Sequence, residues 1–134
     1  MQLVTPVDAD DVIQRWLNSV GVHACAQPLP RDLAGNLPLT LVQGMGGGRA
    51  DVVRDVFNVR LYTWAETDAE AAAEAARVAA SLQAMEREEV GGAFCRSVEL
   101  NALPYPAHDT NHPDLPRMCF TARVGIAASV GNQD

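Results

Sequence analysis

Strand-like runs follow one another along this chain with no helix between them, and that order restricts the fold more than any single motif. Leu39–Gln43 (LTLVQ) passes through a glycine cluster into a run from about Asp51 to Trp64. Phe94–Asn101, where alternation sets Phe94, Val98 and Leu100 inward, passes through the proline-rich stretch 102–116, with Pro104, Pro106, Pro113 and Pro116, into Met118–Ala128. Strands joined in this way pair largely antiparallel, which predicts the α+β class. With Val22–Gln27 included, the expectation is a single domain with a mostly antiparallel sheet of about four to five strands and two helices packed on one face. The element order is α-β-β-β-α-β-β.

Two segments carry the helical period. Residues 5–20 (TPVDADDVIQRWLNSV) place Ala9, Val12, Ile13, Trp16, Leu17 and Val20 on one side. Thr5 is the expected cap, Pro6 the first helical residue, and Gly21 the stop. Residues 67–89 place Ala71, Ala75, Val78, Leu82 and Met85 on one side, with Thr67 and Glu70 forming a capping box. Gly91 and Gly92 are expected to end this helix. Its many alanines keep it thin enough to lie close to a sheet or a neighbouring subunit.

The glycine cluster, GMGGGRAD from Gly44, poses the question of a phosphate loop. A P-loop needs a lysine followed by Ser or Thr and then a helix. This chain has no Lys at all, since its ten basic residues are all Arg. A dinucleotide fingerprint fails as well, because Arg49 occupies the third glycine position and the following run reads as a strand. The glycines are therefore expected to turn the chain between antiparallel strands, with Arg49 at the tip free to touch a partner.

The 134 residues suit one domain, 1–128, with residues 129–134 as a flexible tail. The net charge is −7, which opposes a grip on a nucleic-acid backbone. The opening MQLVTPVDADD is acidic and lacks the apolar core of a secretory signal, and no apolar run is long enough for a membrane helix, so a cytoplasmic, membrane-free protein is expected. Cys25, Cys95 and Cys119 form no CxxC pair, so they read as buried thiols.

Catalytic groupings are thin, and no catalytic residue, cofactor or metal site is assigned. No serine lies in a nucleophile elbow. His23 and Cys25 alternate on a strand and read as paired core positions. Glu86, Glu88 and Glu89 read as a solvated helix end. His108, Asp109 and His112 lie in HDTNHPD, where the prolines oppose the helix that an H-x-x-x-H zinc pair requires, so a solvated loop is expected. On the strand ending at Trp64, Phe57, Val59 and Leu61 should face the core. Arg60, Tyr62 and Trp64 should form an outward contact surface. Arg49, Arg60, Tyr62, Trp64, His108, His112 and Arg117 are the candidate interface residues.

Several strings, in order, resemble the tail terminator family of long-tailed bacteriophages, especially those of actinobacteria. They are the acidic opening helix, the loop with Pro28 and Pro30, LVQGMGG, VRLYTWAET, DAEAAAEAARVAASLQ, and PRMCFTARVGI opening with Pro116 and Arg117. The likeness spans nearly the whole chain. It implies a non-enzymatic virion tail protein, assembled in the host cytoplasm, that forms a ring, expected to be hexameric, on the finished tail tube. Such a ring ends tube polymerisation and presents a surface for head joining. The implied partners are further copies of the chain, the tail tube protein and a head–tail connector protein. DNA would pass through an acidic lining without specific binding. A neck or connector protein of the same fold group is the alternative, and a small metal- or ligand-binding domain using His108 and His112 is a further one.

Overall fold

The computed structural model describes residues 2–5, 7–49, 54–127 and 129–132. In chain order the elements are β1 (Gln2–Thr5), α1 (Ala9–Ser19), β2 (Ala24–Ala26), a single 3-10 turn (Ala34–Asn36), β3 (Leu39–Arg49) and β4 (Arg54–Trp64). They continue with α2 (Asp68–Gln83), β5 (Glu89–Val90), β6 (Ala93–Pro106), β7 (Arg117–Ala127) and β8 (Ser129–Asn132). A six-stranded sheet runs β2-β3-β4-β7-β6-β5, and β1 pairs with β8 as a separate two-stranded ribbon. Among the described strands only the β2–β3 pair is parallel. The α+β class is as expected, but the sheet has more strands than expected and the chain opens on a strand. No helix among the described residues is long and apolar enough to cross a membrane.

Asp8, not Thr5, caps α1. Its carboxylate accepts from the Asp11 N–H at 3.2 Å, while Thr5 pairs with Ser129 in the ribbon. An aspartate satisfies a free first-turn N–H and also sits well at the positive end of the helix dipole. Pro6, expected at the first helical position, lies outside the described residues, as does the expected strand start at Asp51. Gly21, at φ +91, ends α1 as expected. In α2 the expected cap is present: the Thr67 hydroxyl accepts from the Glu70 N–H at 3.2 Å.

The core lies between the helices and one sheet face. Ile13 and Leu17 from α1 and Val78 and Leu82 from α2 meet Val42, Val59, Leu61, Phe120, Val124 and Ile126. Ala71, Ala75 and Ala79 of α2 are buried too, so the helix lies close to the strands. Trp16 ties the helices together by donating its indole N–H to the Ser81 carbonyl at 2.7 Å. A threonine pair, Thr40 and Thr63, bridges β3 and β4 on this face with hydroxyls 2.9 Å apart. Each satisfies the other, so neither leaves a buried polar group unpaired.

Four local expectations are corrected. The glycines do not make the β3–β4 turn; they lie inside β3, and a register shift between Gly44 and Gly47 absorbs one extra residue. Gly46, at φ +87, takes the conformation that such a bulge requires. The chain then passes to β4 through residues 50–53, outside the described residues. Gly91 and Gly92 do not stop α2, which ends at Gln83; they join β5 to β6, where Val90 pairs with Ala93. Phe94 does not face the core. A register shift between Cys95 and Ser97 puts Cys95 on the inner side with Val98 and Leu100 and leaves Phe94 39% exposed. Where a frayed tail was expected, Ser129–Asn132 forms β8; Ala128 and residues 133–134 lie outside the described residues.

The close seat of α2 has a direct consequence. Ala75 is 1% exposed and has no room to grow, whereas Ala73 is exposed. Ala75→Leu is expected to destabilise the fold by about 1–3 kcal/mol in chemical denaturation, and Ala73→Leu by less than about 0.5 kcal/mol.

Candidate protein-contact surface and its loop clamp

The sheet face away from the helices carries the candidate residues. Registers align Leu41, Tyr62, Cys119 and Tyr105 in one row across β3, β4, β7 and β6. The adjacent row is Gln43, Arg60, Thr121 and Ala102, and beyond it Asn58, Arg123 and Glu99 align. Arg60 donates to the Tyr62 hydroxyl at 3.2 Å. Tyr105 is 44% exposed beside Tyr62, and nearby Leu103 is 74% exposed. This is the expected aromatic and arginine surface, with Tyr105 as an added member. The prolines at 104 and 106 make that stretch read as a loop. On the outer strand of a sheet, a missing N–H can face solvent and costs no ladder bond.

Trp64 does not belong to the exposed surface. It is 1% exposed, in a second small core with Leu33, Leu39 and Leu41. Leu29 and Leu37 from the loop 28–38, and Leu115 from the loop after β6, pack on this cluster. The loops thus cover one end of the outer face. Peptide bonds Gln27–Pro28 and Leu37–Pro38, at the two ends of the covering loop, are cis.

One carboxylate fastens the second loop. Asp109, 6% exposed, accepts from the Trp64 indole N–H at 3.0 Å, and its Oδ2 also lies 2.9 Å from His112 Nδ1. Its other oxygen accepts from the Asn111 N–H at 3.0 Å. Arg117 completes the clamp: its Nε donates to the Ala107 carbonyl at 2.7 Å and Nη2 to the His108 carbonyl at 3.0 Å. The same guanidinium lies over the Tyr62 ring at 4.2 Å and near Trp64 at 5.8 Å. Such a stack contributes roughly 0.5–2 kcal/mol according to its exposure.

Burial by itself would raise the Asp109 pKa. The hydrogen bonds from His112, the Asn111 N–H and Trp64, together with the Arg117 charge, outweigh it and hold the carboxyl below its ordinary value. A carboxylate held low contributes stability that is present above its unfolded pKa and is lost as pH falls through its folded pKa.

Four of the seven candidate residues, Tyr62, Trp64, His112 and Arg117, therefore meet in one cluster, and Arg60 adjoins it through Tyr62. His108 contributes its backbone carbonyl there, while its side chain is exposed. Arg49 stands apart on β3, held by Asp55 at 2.8 and 3.4 Å, so its guanidinium is committed within the chain. Asp109, the hub, was legible only as one member of HDTNHPD; its N–H acceptor role depends on Trp64, 45 residues earlier.

His23 is exposed rather than a core partner, while Cys25 is half-buried. Burial pushes the Cys95 thiol up to about 11, the reverse of what activates a nucleophile. A cleft of about 380 Å³ beside Asp8, Asp10 and Asp11 is already structurally used: Asp8 caps α1, Asp10 accepts from Gly44, and Asp11 pairs with Arg15. Among the described residues no group of three His, Cys, Asp or Glu side chains could hold a metal ion.

No family model matches the chain, and no curated protein matches it.

Asp109→Asn is expected to cost about 1–3 kcal/mol near neutral pH, because it removes the charged acceptor from a buried donor. In urea unfolding the gap to wild type should start to shrink as pH falls below about 4, where the unfolded carboxyl takes up its proton, and shrink further as pH falls through the lower folded pKa.

Proposed function

We propose that this chain is a ring-forming structural protein of a bacteriophage tail, a tail terminator that caps the finished tube. The observation that carries this reading is the difference in character between its two faces. The helical layer exposes Asp8, Asp68, Glu70, Glu86, Glu88 and Glu89 against Arg15, Arg77 and Arg87. The opposite sheet face carries Arg60, Arg123, Tyr62 and Tyr105, with Glu99 beside Arg123. An acidic layer turned towards a central channel would repel the DNA that has to pass. An arginine and aromatic face suits protein contact, since Tyr and Arg are enriched at interface hot spots. The sequence likeness to tail terminators, spread over nearly the whole chain, points the same way.

Light scattering after size exclusion, over a wide concentration range, tests the first requirement. The expected mass approaches about six times the 14.3 kDa chain, the stoichiometry the likeness to tail terminators implies, since unlike, complementary surfaces form a ring where their rotation closes. The functional test adds the protein to polymerising tail tube protein from the same genome. Capping should shorten the tubes, with the protein at one end only. Binding to a connector with no effect on tube length would assign it to the neck instead, and no binding to either would overturn the reading. Tyr62→Ala should weaken tube binding, measured by co-sedimentation, by about tenfold or more if the aromatic face is the contact.

A further inference from the structure

β3 is covered along only part of its outer edge. β2 pairs with Thr40–Val42, and the Asp10 carboxylate accepts from the Gly44 N–H at 3.1 Å. From Met45 to Arg49 no described strand lies beyond β3. The Thr40 N–H points to the β2 side, donating to His23. Alternation carries this orientation to Gly44, whose N–H the Asp10 carboxylate accepts, and beyond it Met45–Arg49 is an exposed stretch with no described strand on this side.

Sheet edges are usually blunted by charge, proline or bulges. The far edge of β6 has all three: Glu99, Pro104 and Pro106, and two register shifts after Leu100. The Met45–Arg49 edge contains the Gly44–Gly47 bulge and one arginine, which Asp55 already holds, but no proline and no carboxylate. The same chain also carries a strand pair of matching size and neutral character. β1 and β8, QLVT and SVGN, have four residues each and no charge, and they join no other strand among the described residues. A lone two-stranded ribbon is marginal in water.

We infer that the β1–β8 ribbon of one copy pairs along Met45–Arg49 of a second copy and extends its sheet. Neither strand carries a charge that would oppose the joint, and four ribbon residues span nearly all of the five-residue edge. The joint is heterologous, ribbon to edge, so every copy keeps one free ribbon and one free edge until the assembly closes. A symmetric pairing of two β3 edges would end at a dimer and leave both ribbons open. The inference goes beyond the capping role, since an oligomer of any function would be joined in this way.

Hydrogen exchange by mass spectrometry, run beside light scattering on the full chain, tests it. At concentrations that assemble the protein, amides in 45–49 and in both ribbon strands should slow together by about tenfold or more relative to dilute protein. Val130→Pro, which removes a ribbon N–H, should remain monomeric with an unchanged melting temperature. If that variant fails to fold, wild-type exchange decides alone. A strict monomer at all concentrations overturns the joint, as does a dimer slowed at 45–49 only, or an assembly whose 45–49 amides remain fast. Tube capping by such an assembly would retain the tail reading while refuting the strand joint.

Discussion

Two helices of 11 and 16 residues can cover one face of a six-stranded sheet, but not both. The other face has to be protected by loops, exposed to water with polar residues, or offered to another protein. This chain does the first two. The loop 28–38 and the loop after β6 shield Leu39, Leu41 and Trp64 at one end. Arg60, Thr121 and Arg123 face outward in the middle rows, and Tyr62 and Tyr105 lie between the two regions. The second core exists because the sheet is larger than its helical cover.

The Asp109 cluster is best understood as the fastening of that loop cover. A carboxylate buried alone would cost far more than its hydrogen bonds return. Here it accepts from Trp64 and from a backbone N–H, lies against His112, and has Arg117 within 3.9 Å. The aspartate–histidine contact could suggest catalysis, but the same carboxylate oxygen already accepts from a buried indole, and the His112 backbone N–H closes a tight turn onto the Asp109 carbonyl. The groups are spent on geometry.

Sequence pattern revealed most where one physical rule acted alone. The α2 stripe and its Thr67 cap, the inward Val59 and Leu61, and the stop at Gly21 all follow from local periodicity or backbone freedom. It failed where sheet context changes what a residue means. Glycine after a strand suggests a turn, but within an antiparallel pair it also permits a bulge, and β3 continues through Gly46. Proline suggests a break, yet Pro104 and Pro106 belong to β6 because that part of the strand is an edge. Phe94 was misassigned because alternation counts residues, while a bulge inserts one. The candidate surface was legible in Arg60 and Tyr62. Tyr105 was hidden by its prolines, Trp64 by the absence of any local sign that a distant loop would cover it, and Asp109 by a partner far away in sequence.

The Arg117 guanidinium touches three parts of the molecule at once. It opens β7, holds the carbonyls of Ala107 and His108, and lies over the Tyr62 ring of β4. A body that presses on Tyr62 therefore also presses on the far loop, through one rigid planar group rather than through a flexible chain. Lysine, a point charge on a long stem, could neutralise the same neighbours but could not transmit that push. Strand and loop behave as a single mechanical part, and whatever docks on the open face would meet a hard surface with the stiffness of the sheet behind it.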